Sequence, residues 1–165
     1  MKRLHKTRVA TAALAVLPAL AVAGVAGIAG AGQLIELTQT GCQFLEPENG
    51  TDHGFETASA ADCDRINAET SVERLANADV MTVKPGTYTF RVTNKNVPYE
   101  LGFWLRDSDY EAGNPLHKLT KTSVSGGGLV EGASRDYEVD LKPGTYLYSC
   151  PLNPTPDYTL VVSSE

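Results

Sequence analysis

This sequence predicts an all-β domain, a sandwich or barrel of about seven to eight short strands, on three observations. Apolar and polar residues alternate at period two in run after run, clusters of Pro, Gly and Asn separate those runs, and only one segment beyond residue 31 carries a helix signature.

The runs follow in order. Gln33 to Thr40 (QLIELTQT) alternates, as does Val80 to Val83 before a Lys-Pro-Gly turn. GTYTFRVTN at 86–94 puts Tyr88, Phe90 and Val92 on one face, and YELGFWLR at 99–106 follows a turn made by Asn94, Asn96 and Pro98, so the two read as a hairpin-like pair. A loop rich in Gly, Asn and Pro occupies 107–117, and SVSGGG at 123–128 reads as a linker or tight loop. Alternation resumes in SRDYEVDL (134–141), GTYLYSC (144–150) and DYTLVV (157–162). Trp104, in LGFWL, is expected in the core. VKPGTYTF at 83–90 is echoed by LKPGTYLY at 141–148; in both, Pro-Gly reverses the chain and a tyrosine opens a strand, burying its ring and leaving a hydroxyl to satisfy.

The helix signature lies in Ser59 to Thr70, where Ser59 caps the N-terminus and Asp62 replaces the Glu of a capping box. Ala60, Cys63 and Ile66 share one face of this short helix. It belongs to a block, residues 48–78, that interrupts the strand pattern between the first two strands.

Residues 1–31 are a basic stretch, MKRLHKTR, then an apolar run ending in Ala29-Gly30-Ala31. That order predicts a secretory signal, or an N-terminal anchor if uncleaved, with 32–165 a single periplasmic or secreted domain. Four of the 14 Lys and Arg lie in the first eight residues, and none of the 20 Asp and Glu precedes Glu36, so residues 32–165 carry a charge of about −10. Such a surface repels a phosphate backbone, which sets nucleic acid aside and leaves cations and basic proteins as partners.

Cys42, Cys63 and Cys150 all fall in the exported part, where thiols oxidise unless metal-bound. A Cys42–Cys63 bridge would staple the 48–78 block to the first strand, contributing about 3 kcal/mol through loop entropy. A Cys42–Cys150 bridge is the other pairing, and would make a redox-labile link. Three prolines, 151, 154 and 156, stiffen the loop after Cys150. No nucleophile–base–acid constellation is visible, so nothing points to an enzyme.

PGTYTFRVTN, then DYEVDLKPGTYLYSC, a proline-bearing loop and TLVV together resemble the cupredoxin superfamily over 33–47 and 79–163. The resemblance implies a Greek-key β-sandwich with a copper site at one end, built from a His after the asparagine turn and a Cys, a His and often a Met around the last loop. Here the first His position falls on Tyr99 or Glu100, the Cys on Cys150 and the second His on Asn153, and the last loop holds no Met, which departs from the two-imidazole blue copper set.

A nearer resemblance is to the cupredoxin-like domain of Efe-type periplasmic iron-uptake proteins. It implies Cys42, Glu100 and Cys150 as ligands of a non-blue site for copper or iron, serving metal uptake or redox handling, with a periplasmic or membrane protein partner. Candidate additional ligands are Cys63, His53 and Asp157, with Asp52 and Asp62 also in reach of the inserted block. The competing expectation is a metal-free structural or protein-interaction module whose sandwich is stapled by a disulfide.

Overall fold

The computed structural model describes residues 32–165; the expected export signal lies outside the described residues. Nine strands form two sheets that pack face to face. The first sheet holds β1 (Gln33–Thr40), β2 (Gln43–Phe44), β4 (Gly86–Asn94) and β7 (Ser134–Leu141), in the order β2-β1-β4-β7. The second holds β3 (Met81–Val83), β5 (Leu101–Asp107), β6 (Ser123–Leu129), β8 (Gly144–Ser149) and β9 (Tyr158–Val162), in the order β3-β9-β8-β5-β6. β1 runs parallel to β4 and β3 parallel to β9; the other pairs are antiparallel. The result is a cupredoxin-like β-sandwich. Among the described residues, no helix is long and apolar enough to cross a membrane.

Alternation decides which side chains meet between the sheets. Tyr88, Phe90 and Val92 of β4 point inward, as do Tyr158, Leu160 and Val162 of β9. Phe44 sits at the centre of the aromatic cluster, edge-on to Phe103, Tyr148 and Tyr158 at 6.2, 5.8 and 6.0 Å between ring centres. The Lys-Pro-Gly echo proves to be one device used twice: Tyr88 donates its hydroxyl to Lys84 O at 2.8 Å, and Tyr146 to Lys142 O at 2.9 Å.

The structure corrects several expectations. β4 and β5 are not a hairpin, because residues 95–100 carry the chain from one sheet to the other. Asn94 holds that arch, its buried amide donating to the carbonyls of Val97, Tyr99 and Leu129 at 3.0, 3.3 and 3.1 Å. The glycine run at 126–128 is strand rather than loop, since it lies within β6. Glycine suits that edge because a Cβ at Gly126 would stand 3.0 Å from the Tyr137 ring. Trp104 is only half-buried: it alternates away from Phe103 and Leu105, and the Arg106 guanidinium lies over its ring at 4.0 Å.

The helix, α1 (Ala60–Asn77), starts where the sequence predicts but runs seven residues past Thr70. Asp62 accepts the backbone N–H groups of Ala58 and Ser59, both at 3.0 Å, which draws its carboxyl below the usual value. The extra turns follow from good helix formers in SVERLAN and from the anchoring of Arg74 described below. α1 lies between β2 and β3, the two-residue β2 having escaped a period-two reading. A second short helix, α2 (His117–Thr120), sits in the loop before β6.

Candidate functional site

The segments carrying the predicted ligands gather at one end of the sandwich, and Asn153 joins them. Its Oδ1 accepts the Cys42 N–H at 3.1 Å and the Tyr99 hydroxyl at 3.0 Å, its Nδ2 donates to Thr40 O at 2.9 Å, and its own N–H donates to Cys150 Sγ at 3.2 Å. Asn153 is fully buried, so each of these bonds replaces one to water that folding removed. The proline-stiffened loop delivers it: Cys150 N–H donates to Thr155 Oγ1 at 3.0 Å, and Asn67 of α1 donates to Pro154 O.

Cys150 is a free thiol, 1 % exposed. Burial pushes its pKa up, and the N–H groups of Gly102, Asn153 and Leu152 only partly oppose that. Gly102 donates to the sulfur at 3.3 Å, so with Asn153 the sulfur already accepts two hydrogen bonds. Beside it, Gln39 donates its amide to Gly102 O at 2.8 Å, while two buried oxygens, Gln39 Oε1 and Thr40 Oγ1, have no partner among the described residues.

Cys42 is not a thiol: it is bonded to Cys63 of α1, with Cα atoms 5.0 Å apart. This is the stapling pair, and it replaces the Cys42–Cys150 alternative. The Cys63 sulfur stands 3.0 Å from Asn153 Oδ1. Where β1 turns toward the bridge, the insertion comes so close that a Cβ on Gly41 would fall 2.2 Å from Phe55 O.

Glu100 is exposed on the same rim, and its Oε1 accepts the Gly128 N–H at 2.8 Å. It reaches the neighbourhood of Cys150 from outside. A Cβ on Gly127 would meet Glu100 Oε1 at 2.9 Å and Leu152 Cδ1 at 3.4 Å, and the same Leu152 atom stands 3.5 Å from a Cβ on Gly102. Asp157 turns away to pair with Arg106 at 2.7 Å. Asp52 faces Lys95 at 3.4 Å, and Asp62 caps α1. Among the described residues, no group of three or more His, Cys, Asp or Glu side chains is placed to hold a metal ion.

His53 belongs to a different cluster, one that the sequence reading missed. Glu48, nearly buried, takes His53 Nε2 at 2.7 Å, Arg74 Nε at 3.1 Å and Nη2 at 2.6 Å, and the hydroxyl of Tyr158. Burial alone would raise the Glu48 pKa, but the bonds from Arg74, Tyr158 and His53 outweigh it and hold the carboxyl below its usual value. Arg74 also reaches the Cys42 carbonyl at 3.0 Å, so the ion pair and the disulfide fasten α1 to the same corner. The only signal in the sequence was a basic residue late in an acidic helix; nothing marked Glu48 or Tyr158 as its partners.

No protein-family profile and no curated protein matches this chain. Among solved structures, it is similar to auracyanin B at 14 % identity and a TM-score of 0.48, over 79 % of this chain and 88 % of that one. That similarity concerns the fold alone.

Proposed function

We propose that this chain is an exported binding module on a cupredoxin-like sandwich. In it a hydrogen-bonded plug, stapled by the Cys42–Cys63 disulfide, fills the end where the cupredoxin resemblance expects metal. Asn153 carries this reading: where an imidazole is expected stands an amide committed to Cys42, Tyr99 and Thr40. The residues present do not fit copper or iron while the disulfide is closed. The Cys42 sulfur is covalently engaged, the Cys150 sulfur is buried and takes two N–H donors, and Glu100 bonds to Gly128 at the surface. The inserted helix, tied to the sandwich by the disulfide and the Glu48–Arg74 pair, is then the part free to vary toward a partner.

The second reading keeps a transition metal, copper or iron, at Cys150 with Glu100 and Cys42. Two observations favour it. Glu100 and Cys150 approach the same glycine-lined wall, and the unpartnered oxygens of Gln39 and Thr40 lie on the strand end that touches Gly102 and Asn153. It requires that the disulfide open, which frees the Cys42 sulfur.

Metal analysis after loading with copper, iron or zinc, on protein kept oxidised and on protein with the disulfide reduced, with Cys150→Ser as control, separates the two. The first reading expects no stoichiometric copper, iron or zinc in either form. About one metal per chain, lost in Cys150→Ser, overturns it and establishes the second.

A further inference from the structure

We propose that the pocket at the C-terminal end of α1 is a binding site for a cationic nitrogen group, an alkylammonium or a guanidinium. This deepens the binding-module reading by naming a ligand class. The pocket has a volume of about 430 Å³, within the range of small-ligand sites, and lies between the last two turns of α1 and residues 48–55.

A census of its polar groups sets the sign of the ligand. The guanidinium donors are committed within the protein, while the Thr51 hydroxyl and a second N–H on each of Asn49 and Asn77 stay open. Arg74 uses all its N–H groups on Glu48, Asn67, Thr70, Cys42 O and Tyr158. Asn77 Nδ2 donates to Glu73 O at 2.9 Å, Asn49 Nδ2 to Asn77 O at 3.4 Å, and the Thr70 hydroxyl to Ile66 O at 2.8 Å. Acceptors remain. The Glu48 carboxylate cannot donate, so His53 Nε2 carries the hydrogen of their 2.7 Å contact. Turning both amides onto carbonyls leaves Asn49 Oδ1 and Asn77 Oδ1 as acceptors. Glu73 is exposed and makes no side-chain hydrogen bond or ion pair among the described residues.

Longer-range electrostatics agree. Glu48 and Arg74 cancel, so Glu73 gives the wall a net negative charge, and the pocket faces the end of α1 where the last carbonyls concentrate the negative pole of the helix dipole. Residues 32–165 carry about −10 overall, which draws cations and repels anions at a distance. An anion would meet a like-charged wall; an ammonium or guanidinium brings a positive charge to Glu73 and donors to the two amide oxygens.

The test is a titration of the isotope-labelled full chain at pH 8, followed through the side-chain amide signals of Asn49 and Asn77. The probes are 1,5-diaminopentane, agmatine and N-acetyl-lysine methylamide, with glutarate as the anionic control. The expected result is saturable shifts of both amides with the cationic probes, none with glutarate, and affinity weakened up to about fivefold in Glu73→Gln, with further loss in Glu73→Lys. Glu73 is exposed, so neither variant disturbs the fold. Binding of the lysine derivative as tight as that of the diamine assigns the site to a protein side chain; preference for the free diamine assigns it to a small amine. Absence of saturable shifts, an equal response to glutarate, or indifference to Glu73→Lys overturns the proposal. Metal content at Cys150 is a separate measurement, so failure here and failure of the metal-free reading are distinguishable.

Discussion

At the scale of single residues, Asn153 does what a polar side chain must do to be buried without loss: its amide and its backbone N–H all have partners. Truncation to alanine would strand the Cys42 N–H and the Thr40 carbonyl together, while the Tyr99 hydroxyl keeps Thr57 as a partner. Leaving buried groups unpaired costs about 1–3 kcal/mol each before relaxation. Asn153→Ala is therefore expected to lower unfolding free energy by at least about 2 kcal/mol in urea denaturation, with no change in the disulfide. The position was legible in the sequence only as a departure: the cupredoxin resemblance asked for His and found Asn. That the amide would bind the backbone at residues 40–42 and the hydroxyl of Tyr99 was not legible, because both segments lie more than fifty residues away along the chain.

At the scale of elements, α1 is held by chemistry rather than by an apolar stripe. Its buried side chains are Cys63 and Arg74, one engaged in the bridge and the other in the ion pair, while Val72 is 82 % exposed. Removing one member of a buried pair leaves an uncompensated charge, so Arg74→Ala should cost about 3–5 kcal/mol. The same pair predicts a pH dependence. The folded-state pKa of Glu48 lies below its unfolded value, so its stabilising contribution is complete above the unfolded value and is lost as pH falls through the folded one. Denaturation midpoints should thus decline on acidification below about pH 5, and more shallowly in Glu48→Gln. A steeper decline in that variant would place the acid sensitivity elsewhere.

The start of α1 was readable because a capping motif is local; its end was not, because Arg74 takes its partners from β9, from the turn after β2 and from the chain at Cys42. The same contrast explains the strands. Alternation located every strand except the two-residue β2 and β6, which three glycines disguise, whereas the assignment of β4 and β5 to different sheets depends on the Asn94 arch, which no periodicity encodes.

At the scale of the whole molecule, the sandwich brings Cys42, Cys63, Glu100 and Cys150 to one end, and the chain then uses them unequally. Two cysteines staple the insertion, the third is buried beneath Asn153 and Gly102, and the glutamate caps a backbone N–H outside. The resemblance pointed to Cys42, Glu100 and Cys150 but not to Cys63; the division of labour was not legible, since three cysteines allow three pairings and spacing alone does not choose among them. That division is what makes the end of the sandwich a closed plug. The most direct test is peptide mapping of the oxidised protein after alkylation, once under native conditions and once in denaturant. The plug predicts a Cys42–Cys63 linked peptide in both samples, with Cys150 alkylated only after denaturation. A Cys42–Cys150 linked peptide, or rapid alkylation of Cys150 in the native protein, would contradict it.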